Sequence, residues 1–468
     1  MTTGAKERTD PSPGKSSSLI GLILLVLLIA PASAGAGSAP DDTARQFILD
    51  SGLKVFLLEK RNFPLVNVVT AVNLGTKDET PATSGLVHVL EHYILFRGTE
   101  LRSGSEVGRD VRRHGGYFNA HTGQDLALFE LTVPAEHAEF ALDNQKDILF
   151  NLKLTQEELD REKEVVLEEF NQMEDDPFLQ ATSIAYKNLF GGHPYGNPPH
   201  GDKDVIRGFS AEQIQEFYRK YCVPANCSLA VVGDFSLKDM EDKVRRVFSE
   251  IKGLPPEKPG FEPARPPEKP VRVEIEMDVK KAYLVIGALA PDYNSPEQYT
   301  FDVLTEILGR GVNPMLFRAL WGRRKLVETV SMSYHAHKHG GAILTYLTLD
   351  PRDIRAAERE ATNFLKRVRE ENFSPRDVFG EEQRYAYDFL GGAKNRIKYG
   401  AQQSQEKGLF LATSLARFML LSDGQEGKNY LESIEKVKSS DLRKAAAKYL
   451  GRGDFVVVAV VPKKKNSS

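Results

Sequence analysis

A proline-rich segment from Gly253 to Pro270 divides this chain of 468 residues into two halves. Seven of its 18 residues are proline, and proline at this density predicts an extended, semi-rigid linker because it cannot continue a helix or a central strand. Each half begins with apolar, strand-like runs. Each half also ends with a helix-like segment that leads into another apolar run, at Lys220-Tyr221 and again at Lys448-Tyr449. We therefore expect an α+β fold of two homologous domains, each a mostly antiparallel β-sheet packed with helices.

The first residues have a different character from the rest of the chain. Basic residues precede an apolar run from Leu19 to Ala30, and a helix breaker with an Ala-x-Ala ending follows at 31–34. This pattern is typical of a secretory signal peptide at residues 1–34, and a run of 12 residues is short for a membrane span, which needs roughly 20. We predict export to the periplasm or cell envelope, with the mature chain beginning near Gly35. An uncleaved segment would instead anchor the protein in the membrane.

Composition narrows the function classes. The net charge is −3, and no basic stripe supports nucleic-acid binding. The two cysteines, Cys222 and Cys227, are too few and too close together for a zinc-binding cluster. In an exported protein they can form a disulfide, or they can remain as buried thiols at the start of a strand.

The five residues from His88 to His92 carry the pattern His-x-x-Glu-His. On a helix, residues four apart lie on the same face one turn apart, so both imidazoles leave the same side. Two such histidines are the usual nucleus of a catalytic zinc site, which keeps one position open for water. Glu91 lies beside them, near enough to handle a proton but out of register to be a ligand. We expect Thr83 or Ser84 to cap this helix.

A charged helix predicted from Gln156 to about Glu174 supplies candidates for a third ligand. Glu162 and Glu169 fall within the arc of this helix that should face the core, and a buried carboxylate is costly without a cation or hydrogen bonds. An Arg or Lys partner inside the fold is one solution, and a zinc ion that needs an anionic ligand is the other. The upstream motif favours the metal. The apolar members of the same arc are Leu159, Val165, Val166, Phe170 and Met173.

Two longer segments, Gly85 to Thr99 and Glu162 to Glu169, closely resemble the M16 metallopeptidases, the family of pitrilysin, insulinase and the mitochondrial processing peptidase. The resemblance extends over most of the chain. It includes Asn119 to Thr122, His193 to Gly196, Tyr221 to Asn226 and the second half from Val271 onward.

The resemblance implies a metal-binding role for four residues. One Zn²⁺ ion per chain would be bound by His88, His92 and Glu169. Glu162 would support the site from outside the ligand shell by orienting a ligand. The first domain, expected at residues 41–252, would therefore be the catalytic, zinc-binding one.

The resemblance also implies the reaction, which is zinc-dependent hydrolysis of peptides or unfolded protein segments by an endopeptidase. Glu91 would be the general base that takes a proton from the zinc-activated water and passes it to the leaving amine. Asn119 would lie on an edge strand to which a peptide substrate adds as an extra strand. The second domain, expected at 271–463 after the linker at 253–270, would complete a substrate chamber and contact a partner.

The second half departs from the family pattern. In many relatives an Arg and a Tyr of this half hold the substrate near the zinc, whereas Trp321 and Glu328 occupy the corresponding positions here. Arg318, Arg323 or Arg324 is a candidate substitute. We expect the chain to pair with a second one, either as a homodimer or as a heterodimer with a zinc-less homologue that carries the Arg/Tyr pair.

Two other functions have the same family background. One is a dedicated maturation protease for a single peptide, which would use the same chemistry. The other is a non-catalytic structural subunit, against which the presence of all four residues His88, Glu91, His92 and Glu169 argues.

A series of three histidines, His335, His337 and His339, alternates along a likely strand of the second half. Alternation places their side chains on one side of the strand. We interpret the series as an exposed polar face, with a second metal site as the alternative.

Overall fold

The computed structural model describes residues 43–464 apart from 199, 258–259, 312, 323, 372, 374–387 and 423–429. The predicted signal peptide at 1–34 therefore lies outside the described residues. Within them, no helix is both long enough and apolar enough to cross a membrane.

The first half folds around a six-stranded sheet. Its strands are β1 (Ala44–Ile48), β2 (Lys54–Glu59), β3 (Leu65–Val72), β4 (Tyr117–Thr122), β5 (Ala127–Pro134) and β6 (Cys227–Gly233). They are ordered β1-β2-β6-β3-β5-β4, and only the pair β2–β6 is parallel. Strand β4 therefore forms one edge of this sheet. The helices are α1 (Leu86–Phe96), α2 (Gly104–Arg113), α3 (Ala138–Phe150), α4 (Gln156–Glu174), α5 (Pro177–Leu189), α6 (Lys203–Arg207), α7 (Ala211–Tyr221) and α8 (Leu237–Phe248).

The second half repeats this arrangement with five strands. They are β7 (Val271–Met277), β8 (Ala282–Ala290), β9 (Thr329–His337), β10 (Gly340–Leu349) and β11 (Val456–Pro462), in the order β7-β11-β8-β10-β9. Only the pair β7–β11 is parallel, at the position that β2–β6 occupies in the first sheet. The predicted fold of two mostly antiparallel sheets with helices is confirmed. The described helices are α9 (Gln298–Thr305), α10 (Met315–Trp321), α11 (Ile354–Arg367), α12 (Phe389–Gln405), α13 (Gly408–Leu421), α14 (Tyr430–Lys436) and α15 (Ser439–Tyr449).

Each sheet is covered on one face by a helix from the other half. Helix α13 of the second half packs against β3 and β6 of the first sheet, where Leu411 and Leu415 lie among buried residues such as Val69. Helix α5 of the first half packs in the same way against β8 and β11, with Ala185 and Leu189 buried there. Neither half therefore completes its core alone, because burial of these apolar faces is the main source of its stability.

A buried polar cluster also joins the two halves. The carboxylate of Asp125 accepts hydrogen bonds from the hydroxyl of Tyr195 at 2.6 Å and from the backbone N–H of Lys338 at 3.0 Å. His337 Nδ1 lies 3.8 Å from the same carboxylate, and His337 Nε2 lies 3.0 Å from the hydroxyl oxygen of Tyr186. These contacts fix the end of β9 against the first half.

The prediction of an exposed histidine face is therefore wrong. His337 is only 9% exposed, and burial lowers its pKa to about 4. Burial likewise lowers the pKa of His335 to about 3, and its Nε2 lies 2.8 Å from the hydroxyl of Ser333. His339 lies beyond the end of β9, and within the described part of the chain these histidines form no metal-binding group.

The two cysteines are buried free thiols, so the structure favours that alternative over a disulfide. The Sγ of Cys227 donates to the carbonyl oxygen of Val223 at 3.2 Å. Burial raises the pKa of the Cys222 thiol to about 12, which keeps it protonated and unreactive at neutral pH.

Candidate metal centre

Helix α1 is buried along almost its whole length. Every residue from Leu86 to Leu95 is buried, and the apolar ones pack into the core of the first sheet. The polar side chains of His88, Glu91 and His92 are only 6–7% exposed. Polar groups in such a place need hydrogen-bond partners or a cation to offset the loss of water.

The start of α1 is held by the carboxyl group of a glutamate rather than by a hydroxyl. Glu79 accepts hydrogen bonds from the backbone N–H of Gly85 at 3.0 Å and of Val87 at 2.8 Å, which satisfies two free donors at the helix N-terminus. The predicted cap by Thr83 or Ser84 is wrong. The residue before the helix is Gly85 at φ +93°, a conformation that favours glycine.

The structure brings the three predicted zinc ligands together. One donor atom from each of His88, His92 and Glu169 lies within 4.8 Å of the others. Glu169 Oε2 is 3.3 Å from His92 Nε2 and 3.8 Å from His88 Nε2. Donors bound tetrahedrally to one zinc at about 2.0–2.1 Å are about 3.3 Å apart. The nitrogen and carboxylate donors and their spacing therefore fit a zinc ion.

Glu162 has a different environment from Glu169. It is 1% exposed, its Oε1 lies 2.9 Å from His92 Nδ1, and its Oε2 accepts a hydrogen bond from Arg97. Burial alone would raise the pKa of Glu162, but the contacts with His92 and Arg97 outweigh it and lower the pKa. Of the two glutamates expected to be buried, only Glu162 is, and it has the arginine partner, whereas Glu169 joins the metal group with a side chain that is 43% exposed. Sequence reasoning did not identify Arg97, which follows the last residue of α1.

The charges around His92 favour a cation. Burial alone would lower the pKa of His92, but its contacts with Glu162 and Glu169 raise the pKa to about 10. His88 has no such carboxylate contact at hydrogen-bond distance, and burial lowers its pKa well below the usual value. The pair of carboxylates therefore supplies negative charge where a metal cation would be bound by the two imidazoles.

Glu91 lies next to this group but outside it. Its Oε2 accepts a hydrogen bond from the Thr122 hydroxyl at 2.8 Å, and burial raises its pKa. Thr122 is the last residue of β4, so this contact ties the proposed base to the edge strand. Residue spacing could not indicate the role of Thr122, because the hydrogen bond joins segments that are distant in the chain.

Asn119 lies on β4 and pairs with Glu130 of β5, while the other side of β4 has no neighbouring strand among the described residues. Asn119 Nδ2 lies 3.4 Å from His121 Nε2, which lies 3.5 Å from the carboxylate of Glu130. The other oxygen of Glu130 accepts a hydrogen bond at 2.7 Å from Thr413 of α13. Glu130 thus links the second half to β4, the strand that was predicted to bind substrate.

A further imidazole, that of His200, lies beside the metal group and was not identified from the sequence. Its ring centroid is 5.2 Å from that of His88, and burial lowers its pKa to about 4. The following residue, Gly201, has φ +91°, and a Cβ there would lie 2.2 Å from the Cα of Gly85. This close backbone contact holds the loop against the start of α1.

The residues at the expected clamp positions have other contacts. Trp321 is 47% exposed at the end of α10, and Glu328 forms an ion pair with Lys281. Arg324 pairs with a glutamate of α11 at 3.0 Å, and Arg323 lies outside the described residues. These ion pairs lie within the second half.

Comparison with known proteins agrees with this arrangement. The chain matches the family description "Insulinase (Peptidase family M16)" over residues 54–202 and "Peptidase M16 inactive domain" over residues 208–380. It is 27% identical over 304 residues to "Uncharacterized zinc protease YmxG" of Bacillus subtilis, covering 64% of this chain and 72% of the relative. It is 25% identical over 391 residues to an "Uncharacterized zinc protease" of Rickettsia bellii, covering 82% and 90%.

Solved structures share the fold. A protease from Helicobacter pylori superposes with a TM-score of 0.81 at 22% identity, covering 90% of this chain and 99% of that one. A peptidase M16 inactive domain from Pseudomonas fluorescens gives a TM-score of 0.78 at 19% identity, covering 91% and 100%. The two family matches show that the chain belongs to peptidase family M16, and its relatives include proteins that are named zinc proteases.

Proposed function

We propose that this chain is a zinc-dependent endopeptidase that hydrolyses peptides or unfolded protein segments, with one Zn²⁺ per chain. The observation that carries the proposal is the donor set of His88, His92 and Glu169 at a spacing that fits one zinc, with the carboxylate of Glu91 buried beside it. The names of the relatives support the same chemistry.

The protein residues divide the work of hydrolysis. Zinc, when bound, lowers the pKa of a water molecule toward about 7 and polarises the scissile carbonyl. Glu91 Oε2 is occupied by Thr122, and no described residue donates to Oε1, which leaves Oε1 to accept a proton. As the water oxygen adds to the carbonyl carbon, Glu91 takes one water proton. When the C–N bond breaks, it passes that proton to the nitrogen of the leaving amine.

We place the substrate along the open side of β4. An edge strand presents unpaired backbone N–H and C=O groups to which an extended peptide can add as a further strand. Asn119 lies in the middle of β4, and Thr122 connects the end of the strand to Glu91. Recognition of this kind reads the peptide backbone more than its side chains, which suits peptides and unfolded segments of varied sequence.

Export and pairing with a second chain complete the proposal. The composition of residues 1–34 supports a periplasmic or cell-envelope location. Trp321 and Glu328 at the clamp positions support a partner, either an identical copy or a zinc-less homologue with the Arg/Tyr pair. In the proposed division of the chain, residues 41–252 supply catalysis and residues 271–463 supply the chamber wall and partner contacts.

Cleavage of a quenched, unstructured peptide by the purified chain with one equivalent of zinc tests the proposal. We expect cleavage that a chelator abolishes, that Glu91→Gln abolishes without loss of zinc, and that the control Glu168→Gln retains. Glu168 lies beside the ligand Glu169 but is exposed, so this control changes the same residue type without touching the site. Turnover by Glu91→Gln would refute its role as the base. A zinc-loaded chain that is inactive both alone and with the zinc-less homologue would refute the function.

A further inference from the structure

His200 is an unexplained polar residue beside the metal group. It lies in the loop between the 3-10 turn Pro194–Gly196 and helix α6, and its ring meets that of His88 edge to face, with 65° between the planes. The contact of Gly201 with Gly85 fixes this loop against α1. The position of the imidazole therefore follows from the backbone packing that also positions the metal motif.

One ring nitrogen of His200, the buried Nδ1, has no hydrogen-bond partner among the described residues of the structure. A buried polar atom without a partner typically costs about 1–3 kcal/mol, so such an atom beside a reactive centre calls for a ligand group that satisfies it. Two donors near Glu91, Thr122 and His121, already contact Glu91 and Glu130 respectively.

The distance between His200 and the metal group distinguishes two roles for its imidazole, which are direct metal binding and contact with a reacting oxygen atom. A fourth ligand would lie about 3.3 Å from the other donors, but His200 falls outside the group of His88, His92 and Glu169, whose donor atoms lie within 4.8 Å of one another. A residue that reaches the metal site through one shared oxygen lies farther away than a ligand does. The placement of His200 suits this second arrangement.

We infer that His200 is a further catalytic residue, whose imidazole N–H donates a hydrogen bond to the oxygen of the attacking water beside His88. The inference rests on the proposed peptidase function and deepens it. Glu91 removes a proton from this water, while His200 orients its oxygen and stabilises the negative charge that develops there. His200 itself neither gains nor loses a proton.

Cobalt substitution tests this contact without relying on turnover. The full chain is loaded with one equivalent of Co²⁺, and the pH midpoint of its visible spectrum is followed for the original chain, His200→Leu, His200→Gln and the control His114→Leu. His114 is a half-buried histidine that stacks on Phe140 and hydrogen-bonds to the carbonyl of Asp110.

We expect all four proteins to bind one equivalent of Co²⁺. His200→Leu should raise the pH midpoint, because the deprotonated form of the water loses a hydrogen bond. His200→Gln, which keeps an N–H donor, should recover part of the shift, and His114→Leu should show none. With zinc, kcat of His200→Leu should fall by up to about 100-fold, because the attacking water is no longer held in its reactive orientation.

An unchanged midpoint in a folded His200→Leu would overturn the inference. Loss of stoichiometric Co²⁺ binding would overturn it as well, since His200 would then be a ligand. If His200→Leu does not fold, His200→Ala removes the donor without adding bulk and is judged by the same midpoint. A midpoint shift in a protein that cleaves no peptide, either alone or with the zinc-less homologue, would support the contact and refute the peptidase function, so the two failures are distinguishable.

Discussion

Replacing Glu162 with Gln tests how the metal centre is held. In the original chain one oxygen of Glu162 contacts His92 Nδ1, and the other accepts a hydrogen bond from the guanidinium of Arg97. The amide of Gln keeps an oxygen for His92, but it places an N–H donor next to the guanidinium. Two donors then face each other. Because Glu162 is 1% exposed, water cannot restore the lost hydrogen bond.

The expected size follows from this environment. Residues that orient a metal ligand typically account for about 10–100-fold in metal affinity, which corresponds to about 1.4–2.7 kcal/mol at 25 °C. Because Glu162 is buried and would lose a charge-assisted contact, we expect an effect at the upper end of this range of metal affinities. We expect the zinc dissociation constant of Glu162→Gln to rise by about 100-fold.

Competition with a chromophoric chelator measures this change, and Glu158→Gln is the matched control. Glu158 also contacts Arg97, at 3.2 Å, but its side chain is 33% exposed. Loss of a solvated ion pair is worth at most about 1 kcal/mol, so the control should change zinc affinity by no more than about fivefold. Glu169→Gln, which changes a proposed ligand, should weaken zinc binding more than either.

Unchanged zinc affinity in Glu162→Gln would refute the idea that this carboxylate holds His92 in place for the metal. A loss as large as that of Glu169→Gln would refute it differently, because Glu162 would then behave as a ligand.

Three further substitutions test parts of the fold that position the site. Burial raises the pKa of Glu79 to about 8 from 4.5, so its stabilising contribution is complete below pH 4.5 and is lost as the pH rises through 8. Glu79→Gln should flatten the decline of the unfolding free energy over that range, measured by urea unfolding, and an unchanged slope would contradict the shift. Leu415→Ala removes a side chain that is 4% exposed on α13 and should lower the unfolding free energy by about 2–5 kcal/mol. Calorimetry should still show one transition, and separate transitions for the two sheets would contradict their coupling. Gly201→Ala adds a methyl group 2.2 Å from Gly85 Cα and should lower the melting temperature, whereas Gly260→Ala, where a Cβ meets nothing within 4 Å, should leave it unchanged.

The two histidines of the metal group were predictable because their signal is local, whereas the choice of Glu169 over Glu162 came from the resemblance to the M16 family. The spacing of His88 and His92 places them on one face of a helix, and helix α4 begins and ends at the predicted residues Gln156 and Glu174. The buried arc of α4 was less predictable. Val165, expected in the core, is 42% exposed, while Lys163 is 8% exposed and donates to the carbonyl of Phe209. Periodicity gives the direction of a helix face but not how far its neighbours cover it.

The features that sequence reasoning missed depend on contacts between distant segments. Glu79 lies several residues before α1, and its carboxyl group accepts hydrogen bonds from N–H groups that a hydroxyl at the cap position would otherwise bind. His337 alternates with His335 as an exposed strand residue would, but its burial results from Tyr186 and Asp125 of the other half. A single-strand pattern cannot indicate what packs onto it.

The exchange of α5 and α13 has a consequence for the order in which the protein folds during synthesis. The apolar face of β3 and β6 is covered by α13, a helix that leaves the ribosome only after most of the second half has been made. Until then the nascent first sheet has an uncovered apolar surface, and contacts between segments so far apart in the chain form slowly. The sheet face opposite the metal motif is therefore covered late, and a chain truncated at the linker would leave this apolar face exposed and would be prone to aggregate.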